Sequence, residues 1–376
     1  MLADRSDGTV VGAGSVVVKA HPPGTDPDTL RVRLYTAAHP LLAQVLLPPL
    51  ALPPPAPAGA GPGQDPESPP LLRRLSGGRL ATGWPRGTAL APDDDPGAVP
   101  WAAAGRLLAR LHTVPTGELT DRLPGPMPAM AGPERAAQAL SRLRTALDQH
   151  PPNAVHAGAA EAVEGAWATL PAWCRGEAPQ PARSGTLCHG DFHFGQLVRH
   201  PGLLGPWRLI DVDDLGVGEP AWDLARPAAW FAAGLLPPGV WEGFLHAYAT
   251  AGGTAVPAPE QAPQPYGEPS PEPAPERANS PTPPPLWPAV LDAPARALTA
   301  QSAAVAVAKA HLGRRALSDA EWACVESCSR IADTAAASAN APAPPASAED
   351  VRARPTPAPP PRSGCATAQL PAVEGP

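Results

Sequence analysis

Proline is unevenly spread along this chain, and its distribution decides where a packed fold can form. Of the 376 residues, 58 are proline, and they concentrate in residues 51–70, 254–288 and 341–376 together with alanine, glycine, serine and glutamate. Such segments bury too little apolar surface to offset the entropy of ordering them. We therefore expect a disordered or extended loop, insert and tail in these three segments, and a sizeable core in the remainder.

The segments between the prolines show two kinds of hydrophobic spacing. In residues 1–92, short apolar runs separated by glycine and serine predict a small antiparallel sheet, with a turn at residues 12–15 between two of its strands, and one helix. We expect that helix to end before Pro40 and the aspartates at its start, Asp26 and Asp28, to cap it. In residues 93–340, leucine and alanine recur at helical spacing, interrupted by a strand–loop–strand stretch between Leu187 and Asp213. The sequence thus predicts an α/β (α+β) fold in two parts.

Composition and charge exclude several classes of protein. The net charge is −7 and the basic residues form no cluster beyond two arginine pairs, which argues against nucleic-acid binding. There is no apolar run of about 18 residues and no apolar signal region, so we expect a soluble protein without membrane contact. The five cysteines have irregular spacing and form no C-x2-C pair, which fits a reduced, cytoplasmic protein.

One stretch carries residue types that suit phosphoryl transfer. An apolar strand leads into His189-Gly190-Asp191, a side-chain amide follows at Gln196, and a second strand ends at Ile210-Asp211. Phosphoryl transfer requires a carboxylate near the attacking hydroxyl, and carboxylate and amide oxygens that hold Mg²⁺ against the phosphates. These residues, in this order, indicate a phosphotransferase centre.

At these positions the sequence resembles the aminoglycoside phosphotransferase and choline kinase-like family, which is related to the protein kinases. The family has an H-G-D-x-x-x-x-N loop, an I-D strand end and a Gly-Asp/Pro-x-x-D-L-A helix start. These match, in order, residues 189–196, 210–211 and 218–225. The departure is Gln196 in place of the commoner asparagine. The same form occurs in the maltokinase-like branch, which favours a sugar-type acceptor.

The resemblance implies a two-lobed protein-kinase-like fold, with a small sheet that binds ATP and a mainly helical catalytic lobe. It implies that Asp191 is the catalytic base, that Gln196 and Asp211 are Mg²⁺ ligands, and that His189 and Asp223 support the loop. The implied reaction moves a phosphoryl group from ATP to a hydroxyl of a sugar, an aminoglycoside or an amino alcohol.

Lys19 is the candidate for the lysine that contacts the ATP phosphates. It lies at the end of a valine-rich strand, as that lysine does in kinases, and only Lys19 and Lys309 are lysines among 28 basic residues. The kinase fold normally pairs this lysine with a glutamate on the following helix. Residues 24–49 contain no glutamate, so the pair is either missing or made differently.

Two further residues have roles that the sequence leaves open. Asp213 lies on the same strand face as Asp211, and it either assists the metal or contacts water. Trp84 lies where the two lobes would join, and it either flanks the adenine or packs between the lobes.

A second interpretation is a catalytically weak or inactive kinase-like protein that binds nucleotide or acts as a scaffold. The missing helix glutamate, the short region before Lys19 and the proline-rich segments favour it. The complete set of Asp191, Gln196 and Asp211 opposes it. No motif indicates the identity of the acceptor or the oligomeric state.

Overall fold

The computed structural model describes residues 3–5, 8–52, 70–90, 99–181, 185–256 and 287–340. The three proline-rich segments lie almost entirely outside these residues, so the disorder expected there stays a prediction.

The first part of the chain forms a five-stranded antiparallel sheet. Its strands are β1 Ala3–Arg5, β2 Gly8–Ala13, β3 Val16–Ala20, β4 Leu72–Arg74 and β5 Leu80–Pro85. Their order across the sheet is β1-β2-β3-β5-β4. The turn between β2 and β3 is tighter than the sequence suggested, because Gly12 and Ala13 pair with β3. Gly14 makes this turn with a φ of 58°, which glycine adopts without a steric penalty.

Helix α1, Pro27–Ala37, follows the sheet's central strand. Asp26 caps it by accepting a hydrogen bond from the backbone N of Thr29 at 2.8 Å, so this aspartate is a helix cap, as expected. Leu34 on its inner face is fully buried. The helix ends before Pro40, which confirms the predicted end.

From residue 99 onward the described chain is mainly helical, as expected. The helices are α2 Trp101–His112, α3 Gly132–Gln149, α4 Ala154–Ala168, α5 Ala221–Ala232, α6 Pro238–Thr250, α7 Asp292–Leu312 and α8 Asp319–Asn340. Helices α2 and α6 approach closely at Gly105, where an added Cβ would lie 2.6 Å from the carbonyl O of Phe244. Helices α3, α4 and α7 enclose a second core that is rich in alanine and leucine.

Short strands between the two parts position the candidate residues. They are β6 Thr88–Ala89, β7 Thr186–Cys188, β8 Leu197–Arg199, β9 Trp207–Leu209 and β10 Gly216–Gly218. Strand β10 pairs with β7, and β8 lies between β6 and β9. The chain after α1 joins this region, because Leu47 N donates a hydrogen bond to Leu209 O at 2.9 Å. Most of the candidate residues occupy the loops after β7 and β9 and the start of α5, directly after β10, while Lys19 lies on β3 and Trp84 on β5.

The described residues confirm the expected architecture of a small antiparallel sheet lobe and a mainly helical lobe. One core runs through both, since it contains Leu34 and Leu80 from the first part and Leu108 and Phe244 from the second. The boundary between residues 92 and 93 stays a prediction. None of the described helices is long and apolar enough to cross a membrane.

Candidate active site

Two loops carry most of the candidate residues. The His189 loop (residues 189–196) follows β7, and the Asp211 loop (residues 211–215) follows β9. His189 joins them, because its Nε2 lies 2.8 Å from the carbonyl O of Ile210. A second link is the hydrogen bond that Ile210 N donates to Gln196 O at 2.9 Å. The loops are thus connected at two points.

Asp223 of α5 supports the start of the His189 loop. Its buried carboxylate accepts hydrogen bonds from the backbone N of His189 at 2.6 Å and of Gly190 at 2.8 Å. His112 Nε2 lies 3.0 Å from the same carboxylate, and His112 Nδ1 lies 2.7 Å from the Tyr248 hydroxyl. Because a carboxylate only accepts, Nε2 carries the proton and Nδ1 accepts from the tyrosine. Burial raises the pKa of Asp223, but these partners outweigh burial and lower it.

His112, Cys188 and Asp223 also lie as close together as metal ligands would, with ligand atoms within 4.8 Å of one another. Both nitrogens of His112 and both oxygens of Asp223 already take part in hydrogen bonds. Burial raises the pKa of Cys188 well above its ordinary value, which keeps the thiol protonated. The cluster is therefore a support of the His189 loop, and its atoms are not available to a metal ion.

Gly190 lets the His189 loop lie directly against the Asp211 loop. Its φ is 87°, and a Cβ built on it would lie 2.4 Å from the carbonyl O of Asp214. Both the left-handed conformation and the missing space require glycine here.

Asp191 forms an ion pair with Arg226 of α5. The Nη2 of Arg226 lies 2.6 Å from Oδ1 of Asp191, whose side chain is 32% exposed. The other carboxylate oxygen of Asp191 makes no hydrogen bond with any described residue. Burial lowers the pKa of the neighbouring His193 to about 4, although the charge of Asp191 opposes this shift. His193 is thus neutral at pH 7, and Arg226 supplies the positive charge beside Asp191.

Gln196 and Asp211 offer an amide and a carboxylate oxygen, and this donor set fits Mg²⁺. Gln196 ends a short 3-10 helix, and its side-chain amide makes no hydrogen bond with a described residue. Asp211 has a φ of 63°, a left-handed backbone conformation that is uncommon outside glycine. Such strain is typical of functional positions, where the surrounding structure holds the residue in place.

Lys19 reaches the Asp211 loop from β3. Its Nζ lies 2.6 Å from Oδ1 of Asp211 and 3.0 Å from Oδ2 of Asp213. Burial alone lowers the pKa of Lys19, but the two carboxylates outweigh burial and raise it above its ordinary value. For Asp213, burial raises the pKa, and Lys19 together with His21 outweighs this and lowers it. The lysine predicted to contact ATP is therefore a charged group at the loop predicted to hold the metal.

Asp213 is the first member of a series of polar side chains that are linked by hydrogen bonds and continue into the sheet. Oδ2 of Asp213 lies 3.1 Å from His21 Nδ1, and His21 Nε2 lies 3.0 Å from the hydroxyl of Thr82. The indole N of Trp84 donates to the same hydroxyl at 3.0 Å. Trp84 belongs to the main core, which supports its packing role, while a position beside adenine stays a prediction.

A cavity of about 340 Å³ opens beside the Asp211 loop, between the first turns of α1 and α3. Asp214 and Arg135 line it, and the Nε of Arg135 lies 2.7 Å from Oδ1 of Asp214. Burial raises the pKa of Asp214 to about 6, although Arg135 opposes this shift.

Sequence reasoning missed three of these groups. Arg226 lies three residues after Asp223, and this helical spacing could have placed both on the face of α5 towards the loop. His112 ends the leucine-rich helix α2, where its type and burial give no local signal. The contact of His21 with Asp213 joins residues 192 positions apart, and no spacing pattern indicates it.

The sequence profile of the phosphotransferase enzyme family matches residues 8–263. This range includes both loops, β3 with Lys19, and the whole of α5. No curated protein matches the sequence.

Solved structures with a similar chain path are phosphotransferases and kinases of small molecules. Spectinomycin phosphotransferase, in complex with ADP and spectinomycin, is 12% identical, with 87% of this chain and 92% of that chain covered and a TM-score of 0.43. Macrolide 2'-phosphotransferase from Brachybacterium faecium is 17% identical, with 87% and 89% covered and a TM-score of 0.40. Plasmodium vivax ethanolamine kinase is 11% identical, with 84% and 75% covered and a TM-score of 0.42.

Proposed function

Because the chain belongs to the phosphotransferase enzyme family, and is thus an enzyme that phosphorylates a hydroxyl group, we propose that its donor is ATP with Mg²⁺ and that its acceptor is a small polar molecule. One observation carries the assignment of the site: Lys19 from the sheet lobe contacts Asp211 at 2.6 Å, and Asp211 lies beside the loop that bears Asp191 and Gln196. We also propose a cytoplasmic location, since ATP is abundant there and the described cysteines are free thiols.

Asp211 and Gln196 would hold Mg²⁺. The ion would neutralise charge on the phosphates and orient them for transfer. Lys19 would contact the phosphate oxygens, since its ammonium group is charged and lies at the same loop. The free side-chain amide of Gln196 supports this assignment, because the amide oxygen has no competing partner among the described residues.

Asp191 would act on the acceptor. Arg226 holds one carboxylate oxygen of Asp191, so the other is available to accept a hydrogen bond from the attacking hydroxyl. The hydroxyl oxygen attacks the terminal phosphorus of ATP, the bond from that phosphorus to the bridging oxygen breaks, and the hydroxyl proton passes to the carboxylate. The guanidinium of Arg226 at 2.6 Å fixes the position of this carboxylate, so we assign Asp191 a role that rests mainly on orientation of the hydroxyl.

Sugars, aminoglycosides and amino alcohols are the acceptor classes to compare. The Gln196 form of the loop favours a sugar-type acceptor. The similar structures are enzymes for spectinomycin, macrolides and ethanolamine, so they do not select one class.

The rival function is a nucleotide-binding protein without turnover, and its main support was the missing helix glutamate. The structure weakens this support, because Lys19 has carboxylate partners in Asp211 and Asp213. The decisive experiment is an ATP-consumption screen across the three acceptor classes, with Asp191→Ala as the matched inactive variant. We expect acceptor-dependent consumption that Asp191→Ala abolishes at unchanged melting temperature. Binding of ATP with Mg²⁺ without consumption in every arm would support the rival instead.

A further inference from the structure

We propose that Asp213 replaces the absent helix glutamate as the partner that holds Lys19 in place, and that His21 positions Asp213. The proposal rests on the proposed function in one respect, the assignment of Lys19 to the ATP phosphates. It adds two positioning residues to that site.

Two carboxylates lie close enough to hold Lys19. Both Asp211 and Asp213 contact Lys19 Nζ, at 2.6 Å and 3.0 Å. A lysine held by Asp211 alone would compete with the metal ion for the same carboxylate. Asp213 has the more buried side chain, 14% exposed against 32% for Asp211, and its other contact is to a neutral or cationic group, His21. Asp213 can therefore hold the lysine while Asp211 holds the metal.

His21 is buried, at 1% exposed, and its hydrogen bonds fix the orientation of its ring. The carboxylate of Asp213 only accepts hydrogen bonds, so His21 Nδ1, at 3.1 Å, must carry a proton. In the neutral ring Nε2 then accepts, and the hydroxyl of Thr82 at 3.0 Å is its donor. The hydroxyl oxygen in turn accepts from the indole N–H of Trp84. Each polar atom along this path has a partner, so the ring of His21 has one orientation.

Helix α1 lacks the glutamate but still contacts the Asp211 loop. Arg33 of α1 donates hydrogen bonds from Nε to the carbonyl O of Leu215 at 2.8 Å and from Nη1 to the carbonyl O of Asp213. The guanidinium of Arg33 thus holds the backbone of Asp213. In the usual kinase arrangement, the helix instead provides a glutamate that contacts the lysine directly. Asp213 is fixed through its carboxylate by Lys19 and His21, and through its carbonyl by Arg33.

The test uses the chain's unusual lysine content. Lys19 and Lys309 are its only lysines, and Lys309 is exposed on α7. Limited acylation with an amine-reactive ester, followed by mass spectrometry, gives the labelling rate of Lys19 relative to Lys309 in one molecule. A lysine held by carboxylates reacts slowly because its contacts restrict its position and must break before its nitrogen can reach the ester. This ratio reports how firmly Lys19 is held, and it does not depend on turnover.

We expect Asp213→Asn and His21→Leu to raise the ratio by at least about tenfold, the lower bound that corresponds to one hydrogen bond to a charged group. His21→Asn, whose amide N can take the place of Nδ1, should restore most of the protection. The matched control is Asp28→Asn, which removes a surface ion pair with Arg31 on α1 and should leave the ratio unchanged.

Asp211→Asn separates this proposal from its rival. If Asp211 alone held Lys19, Asp211→Asn would raise the ratio and Asp213→Asn would not, and that pattern would overturn the proposal. Melting temperatures identify any variant that does not fold, and Asp213→Asn gives the answer if His21→Leu is such a variant. With an active acceptor, the same variants should raise KM for ATP and leave KM for the acceptor unchanged. Labelling as proposed without any turnover would refute the proposed function and leave the pairing supported.

Discussion

Arg226 Nη2 lies 2.6 Å from Oδ1 of Asp191, so the carboxylate assigned to the acceptor hydroxyl is held by a cation from the next helix along the chain. Asp223 and Arg226 both belong to α5, and they act on consecutive parts of the His189 loop. One helix therefore holds the start of that loop through its backbone N–H groups and holds Asp191 through a side-chain ion pair.

Removal of this cation should slow the reaction without unfolding the protein. We expect Arg226→Gln to lower kcat by about 10- to 100-fold, because a carboxylate that is free to rotate spends less time in the productive geometry. Arg226→Lys should recover part of the rate. Steady-state kinetics with the acceptor found in the screen provides the measurement. The control is Arg144→Gln, which breaks an exposed ion pair with Glu164. An unchanged kcat in Arg226→Gln would contradict the positioning role.

Loss of Asp223 should destabilise the protein more than loss of a surface carboxylate. Asp223→Ala removes three hydrogen-bond acceptor contacts and leaves two backbone N–H groups and the Nε2 N–H of His112 buried without a partner. We expect a decrease of about 3 kcal/mol or more in the free energy of unfolding. Denaturant titration measures it, and Glu164→Ala, which breaks an exposed pair with Arg144, should cost less than about 1 kcal/mol. Equal losses in the two variants would refute the support role.

Gly190 and Gly202 form a matched pair for the close contact of the two loops. Both have positive φ, 87° and 58°, but an added Cβ meets Asp214 O at 2.4 Å at Gly190 and nothing within 4 Å at Gly202. We expect Gly202→Ala to cost about 1 kcal/mol from backbone strain alone, and Gly190→Ala to cost at least about 2 kcal/mol more. Thermal and denaturant unfolding measure the difference. Similar losses would show that the contact with Asp214 is not tight.

His193 should make the protein less stable in mild acid. Burial, which Asp191 opposes only in part, lowers the pKa of His193 from 6.5 to about 4. Below pH 6.5 the unfolded chain binds a proton that the folded state does not, so the free energy of unfolding falls as the pH drops from 6.5 to about 4. The full loss is on the order of 3 kcal/mol, since one pKa unit corresponds to about 1.4 kcal/mol.

Asp214 acts in the opposite direction over part of this range. Burial raises its pKa to about 6, so the folded state binds a proton first and gains stability as the pH falls from 6 towards the ordinary value of 3.8. Denaturant titrations at pH 7, 6 and 5 separate the two groups. His193→Asn, which keeps an acceptor for Gly195 N, should make the acid loss smaller, and Asp214→Asn should make it larger. Identical pH profiles in both variants and the parent would argue against both shifts.

The sequence predicted most of the fold because its local signals are strong. Asp26 before Pro27 marks the start of α1, and leucine and alanine spacing marks α2 and α3. The predicted turn before β3 began too early, at Gly12, because glycine is typical of turns. In the structure Gly12 pairs with β3 and belongs to strand β2. Tertiary hydrogen bonds can override such local preferences.

The candidate site was predictable only where a short motif carries the chemistry. The sequence motif of the family identifies five candidate residues by their order along the chain: His189, Asp191, Gln196, Asp211 and Asp223. The partners that fix them come from distant segments, as with His112 for Asp223 and His21 for Asp213. Such contacts depend on how the segments that carry His112 and His21 pack in three dimensions. No pattern in the sequence indicates which residues meet in that packing.

The residues of the Asp211 loop make contacts with several different parts of the fold within a stretch of five positions. Asp211 faces Lys19, Asp213 meets Lys19 and His21, Asp214 covers Gly190, and the carbonyls of Asp213 and Leu215 receive Arg33. Inserting or deleting one residue would shift every one of these contacts at once, whereas a substitution alters a single one. Along this loop, length is constrained more severely than the identity of any side chain, and engineering of the enzyme should preserve that spacing first.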